Sequence, residues 1–117
     1  MADKTFHWPE DGYILNSRTA LVDNAAGKTS KIKGLQFGNI SPVVDVTVTL
    51  YVTKANGGSI QSALTDAMIL GSFTVPASKS AAFPLDYPIV LTAEHDAIQA
   101  VATTTNLVTA LIAGVEV

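Results

Sequence analysis

Val43-Val44-Asp45-Val46-Thr47-Val48-Thr49-Leu50-Tyr51-Val52-Thr53 is the stretch that decides the fold. Val44, Val46, Val48, Leu50 and Val52 are apolar, and Asp45, Thr47, Thr49, Tyr51 and Thr53 lie between them. Side chains on a strand alternate faces with period two, so this reads as one strand with an apolar face and a wetter face. Parallel sheets are covered on both faces, whereas antiparallel sheets can leave one face to water. The stretch therefore predicts a strand of an antiparallel sheet.

Strand and turn signals continue on both sides of it. Thr19 to Asp23 reads as a short strand, followed by the turn Asn24-Ala25-Ala26-Gly27, where Gly27 can take a positive φ. In Lys28 to Ile40, Ile32 lies on one phase of the alternation and Leu35 and Phe37 on the other. Gly34 stands between them, where a bulge would reset the register. Asn39 to Pro42 turns the chain into the central strand. Downstream, the turn Lys54 to Ser59 precedes a segment with two readings. Ile60, Ala63, Leu64 and Ala67 fit one short helix, and the same residues also fit a loop. Strands resume at Met68 to Val75, Ser80 to Leu85 and Pro88 to Leu91, with Pro84 and Pro88 placing that region at a sheet edge. Thr92 to Asp96 reads as a solvated polar turn, and the last strands are Ala97 to Thr103 and Leu107 to Val117. Ala26-Gly27-Lys28-Thr29 and Ala77-Ser78-Lys79-Ser80 echo one another, each opening a strand.

About eight short strands separated by turns predict an all-β, single antiparallel β-sandwich or jelly-roll-like domain over residues 19–117. Residues 1–18 are read as an extended N-terminal arm, carrying Phe6, His7, Trp8 and Tyr13. Such aromatics are costly to leave in water, so two readings stand: a strand packed on its own domain, or an arm across a neighbouring subunit. The final strand is apolar on both phases, with Leu107, Leu111, Ala113, Val115 and Val117 on one and Val108, Ala110 and Ile112 on the other. One phase should meet the core and the other the arm or another subunit. The expected oligomer or partner interface is Phe6, Trp8, Tyr13, Val108, Ala110 and Ile112.

Composition points the same way. The 117 residues suit one domain, which at this size buries roughly two-thirds of its extended-chain surface. Only 15% of residues are charged, against about a quarter in ordinary soluble domains. A surface so poor in charge implies either a membrane protein or one whose surface is used in contacts. The longest uncharged run, residues 97–115, carries Thr103-Thr104-Thr105-Asn106 at its centre, which a spanning helix would place in mid-bilayer. Two strands joined by a turn explain it better. The N-terminal residues lack the apolar run of a signal peptide, so export by that route is not expected. Seven Lys/Arg against ten Asp/Glu argue against a nucleic-acid partner, and Lys28, Lys31 and Lys33 read as a solvated strand face.

Candidate chemistry is thin. Without cysteine there is no disulfide or thiolate metal site. Glu94-His95-Asp96 could offer metal ligands, but consecutive residues rarely converge on one ion, and His7 is distant in sequence. Asp11-Gly12 and Asp45 lack the spaced oxygens of a calcium loop. No phosphate loop precedes a helix, and two histidines on turns offer no positioned base for a nucleophile. No catalytic, cofactor-binding or metal-binding residue is expected, and the chain is not expected to be an enzyme.

Several stretches carry a resemblance. Ala26-Gly27-Lys28-Thr29, then Ile32-Lys33-Gly34-Leu35-Gln36-Phe37-Gly38-Asn39-Ile40-Ser41, then Val46-Thr47-Val48-Thr49-Leu50 resemble small β-sandwich virion proteins of tailed bacteriophages. The later order Val75-Pro76-Ala77, Pro88-Ile89-Val90-Leu91, Glu94 to Val101 and Val115-Glu116-Val117 is similar too. The likeness spans roughly residues 19–117, and residues 60–67 depart from the shorter hairpins of that group. It implies a capsid cement or decoration protein on the virion surface, made in the host cytoplasm. The implied partners are the major capsid protein or other virion proteins and further copies of this chain, with a trimer favoured and no nucleic acid or membrane. The alternatives are a small tail or neck component, or a carbohydrate- or receptor-binding sandwich using aromatics such as Trp8 or Tyr51.

Overall fold

The computed structural model describes residues 3–8 as backbone and residues 13–116 in full. Its strands are β1 (Asp3–Trp8), β2 (Thr19–Asp23), β3 (Ser30–Asn39), β4 (Val46–Thr53), β5 (Ile69–Val75), β6 (Ser80–Phe83), β7 (Ile89–Leu91), β8 (Ala97–Ala102) and β9 (Val108–Glu116). All pair antiparallel, in two sheets. Sheet A has the order β1-β9-β3-β6, with β7 also on β3, and sheet B has the order β2-β8-β4-β5. The all-β sandwich expected from the alternation is the architecture found.

β4 shows why the alternation was decisive. Val46, Val48 and Leu50 are fully buried between the sheets, while Thr47, Thr49 and Tyr51 are half-buried on the outer face. They meet Phe37, Leu35, Val108 and Ile112 of sheet A in one core cluster. Each large side chain buried there contributes about 1.5–3 kcal/mol before ordering costs. The strand is shorter than the alternation suggested. It begins at Val46, which leaves Val43 and Val44 outside it in an exposed loop.

β3 changes phase as its sequence requires. Ser30 and Ile32 are buried on one phase, Leu35 and Phe37 on the other, and the pairing with β9 shifts between Ile32 and Gly34. Two residues against one at this bulge keep the apolar side chains inward on both sides of it. Opposite the bulge, the backbones close in tightly. A Cβ on Gly114 would run into the Lys31 carbonyl, so only glycine fits there. Downstream of β5, β6 and β7 lie end to end along the same edge of β3, and Pro84 to Pro88 carries the chain between them.

Two expectations need correction, and one open alternative is decided. Residues 3–8, assigned to an arm outside the sandwich, form β1, which pairs with β9 of the same chain from Asp3↔Val115 to Trp8↔Ala110. The backbone of this segment thus follows the own-domain reading, because the flank of β9 not taken by β3 offers it a full register of partners. Second, Val108, Ala110 and Ile112 face the core and are almost wholly buried. The register of β9 against β3 puts this phase opposite Leu35 and Phe37 on the inner face, so the outward phase is Leu111 and Ala113. Of the two readings of residues 60–67, the loop holds: they form irregular chain ending in one 3-10 turn, Asp66–Met68.

Candidate interaction surfaces

One end of the sandwich carries an apolar tip. Between β3 and β4, Ile40 is 57% exposed and Val43 82% exposed, with Val44 beside them also exposed. The loop is held by two buried polar residues. Asn39 Nδ2 donates to the carbonyls of Val44 (2.8 Å) and Val75 (3.0 Å), and its Oδ1 accepts from the Ser41 amide (2.9 Å). Ser41 Oγ accepts from the amides of Val43 (3.3 Å) and Val44 (3.0 Å), and the Ser41 carbonyl accepts from Ser78 N (2.8 Å). Asp45 Oδ1 accepts from Ala77 N at 2.9 Å. The Asn-Ser turn read from the sequence is therefore a clamp joining the β3–β4 loop to the β5–β6 turn. Its amides from Ile40 to Val44 are satisfied internally, which leaves the valine side chains presented to solvent.

The echo between the two small turns is also structural. Lys28 N bonds Ala25 O with Gly27 at φ +70°, and Lys79 N bonds Pro76 O with Ser78 at φ +61°. The 93–96 turn repeats the pattern, with Asp96 N on Ala93 O and His95 at φ +70°. A positive φ at the third position is what a type II turn needs, and glycine takes it without cost.

The 92–96 turn is solvated at Thr92, Ala93 and Glu94 as its composition suggests, and only Asp96 departs from that reading. Asp96 is 5% exposed. Its Oδ1 accepts from Ala55 N and its Oδ2 from Ala93 N, both at 3.0 Å. Burial pushes the Asp96 carboxyl up, but hydrogen bonds from the amides of Ala55, Ala93 and Thr92, with the Lys54 charge, outweigh it and hold it below the ordinary carboxylate value. The carboxylate thus ties the β4–β5 loop to the β7–β8 turn. His95 leaves the turn in another direction, its Nδ1 2.9 Å from Asp23 Oδ1. Asn24, also buried, donates to the carbonyls of Lys28 and Ala93 and accepts from Ser30 Oγ. These groups serve one another, and among the described residues no three His, Asp or Glu side chains gather as a metal site would require.

On the outer face of sheet B, Gln99 is 0% exposed although it points away from the core. The long β4–β5 loop covers it. Gln99 Nε2 donates to Thr53 Oγ1 (3.0 Å) and Gln61 O (2.9 Å), and its Oε1 accepts from Arg18 Nη1 (3.1 Å). Beyond that cover lies a ladder of hydroxyls, Thr47–Thr74 at 3.1 Å and Thr49–Ser72 at 3.2 Å. On sheet A, a shallow apolar depression is lined by Gly34, Leu35, Gln36, Ala82, Leu111 and Ala113.

The residues expected at an interface are therefore not brought together on one surface. Val108, Ala110 and Ile112 are core, Tyr13 is half-buried, and the side chains of Phe6 and Trp8 lie outside the described residues. Pattern reading assigned Val43 and Val44 to the strand, and so missed the tip that Ile40 forms with them. Pro42 was the available signal, since proline removes an amide and ends pairing. No helix among the described residues is long and apolar enough to cross a membrane. No protein-family model matches the chain, and neither a curated protein nor a solved structure matches it.

Proposed function

We propose that this chain is a structural virion protein of a tailed phage, of the capsid cement or decoration kind, and that it docks on the head shell through the 40–44 tip. The observation that carries this reading is Val43, 82% exposed on a loop whose backbone is clamped by Asn39 and Ser41. A preorganised apolar knob loses little entropy on docking, so its burial in a shell pocket converts efficiently into affinity. The low charge content suits repeated protein contacts. A carbohydrate-binding reading would draw on exposed aromatic rings, and among the described residues Tyr87 alone is a strongly exposed one. The test is cosedimentation of the purified protein with heads of the encoding phage that lack it. Wild-type protein should pellet with heads to saturation, and Val43→Asp, folded by circular dichroism, should bind at least tenfold more weakly. Absence of saturable binding by the wild type, or equal binding by Val43→Asp, would overturn the proposal.

A further inference from the structure

A sheet edge offers a row of unpaired amides and carbonyls, and proteins blunt such edges with charge, proline, bulges or short strands. Edges of this sandwich carry those devices, and β5 carries the least of them. β6 and β7 are short and separated by Pro84 to Pro88. β2 has five residues, a register shift between Ala20 and Val22, and Asp23 at its end. β1 contains Asp3 and Lys4. β5, Ile69-Leu70-Gly71-Ser72-Phe73-Thr74-Val75, has seven residues, no charge and no proline. Its one irregularity, a register shift that skips Leu70, lies at its start and leaves Gly71 to Val75 regular. It is hydrogen-bonded to β4 on one side only.

The direction of its free groups follows from the neighbouring ladder. Thr47 O accepts from Thr103 N and Thr47 N donates to Thr103 Oγ1, so the Thr47 peptide groups face β8. Val46, Val48 and Leu50 therefore face β5 and pair with Val75, Phe73 and Gly71. The amides and carbonyls of Ser72 and Thr74, between the regular pairs, then point outward, where no other strand of the described chain meets them. The edge is also incomplete in its side chains. Phe73 packs with tilted rings against Phe37 (5.0 Å between centroids) and Phe83 (5.5 Å), yet remains only half-buried.

We infer that β5 is the contact through which two copies of this chain associate, by antiparallel β5–β5 pairing about a two-fold axis at Phe73. In that register Ser72 and Thr74 of one copy face Thr74 and Ser72 of the other as hydrogen-bonded pairs. These exchange about four backbone hydrogen bonds and extend the Thr/Ser ladder already formed with β4. The two Phe73 rings meet as a non-hydrogen-bonded pair, in which side chains approach most closely, and each covers what its own subunit leaves exposed. No charged residue of β5 opposes the pairing. Two four-stranded sheets become one continuous eight-stranded sheet. The contact is isologous, so it gives a dimer and not the trimer expected from the resemblance. It is independent of the virion reading, because its test contains no heads.

The test is a charge exchange on the full chain, read by light scattering and residue-resolved hydrogen exchange at about 200 µM, a concentration suited to a small contact. Wild type should be a dimer with slow exchange at Ser72 and Thr74. In Ser72→Lys/Thr74→Lys each lysine faces a lysine, so the protein should be a folded monomer. In Ser72→Glu/Thr74→Lys each glutamate faces a lysine, so the dimer should return. Ser72→Pro removes an outward amide and leaves the backbone hydrogen bonds to β4 intact, losing only the Ser72–Thr49 hydroxyl contact, and should also be monomeric. A wild-type monomer at this concentration, a trimer, or a dimer that the Lys/Lys variant retains would each overturn the inference.

Discussion

Replacing Asp96 tests the physics of the 92–96 turn most directly. The carboxylate is nearly buried and accepts from Ala55 N and Ala93 N, each at 3.0 Å. Asp96→Asn keeps the shape but turns one acceptor into a donor facing an amide, and Asp96→Ala leaves both amides without that partner. Hydrogen bonds to a charged acceptor contribute about 1.5–3 kcal/mol each, and a stranded buried donor costs about 1–3 kcal/mol. Asn should therefore lose about 2 kcal/mol and Ala about 3 kcal/mol, or on the order of 10–20 °C in Tm for a domain of this size. Acid adds a second signature. The folded carboxyl lies below its ordinary value, so its stabilisation is fully present above the unfolded pKa of about 3.9 and is lost as pH falls through the lower folded value. Thermal melts from pH 2 to pH 7 on wild type and Asp96→Asn should converge at the acid end and separate above about pH 4. Parallel curves, or a difference below about 0.5 kcal/mol at pH 7, would refute the view that this carboxylate anchors the loop.

Ile112→Lys puts an unpaired ammonium into the fully buried core position of β9 and should give an unfolded chain by circular dichroism, whereas Leu111→Lys, on the 38%-exposed phase, should stay folded within about 1 kcal/mol. Gly114→Ala drives a methyl group into the Lys31 carbonyl opposite the β3 bulge, and denaturant melts should show a loss of about 2 kcal/mol or more.

Much of the sandwich was legible because strand periodicity and turn chemistry are local. Val46 to Leu50 declare their inner face by alternation alone, Gly34 marks the phase change between Ile32 and Leu35, and Gly27 marks a positive-φ turn. Facts that depend on what a residue lies against were not legible. Val108 and Leu111 are both apolar, and only the register of β9 against β3 decides which phase is core and which is surface. The aromatic N-terminal segment suits an arm or a strand equally, and the open flank of β9 decides for β1. Asp96 and Gln99 are polar residues that become buried because loops distant in sequence bring them partners: Ala55 for one, Gln61 and Arg18 for the other. Alternation records which residues avoid water, whereas partners are set by closing long loops between sheets. That is why the 40–44 tip and the open edge of β5 emerge only from the assembled fold.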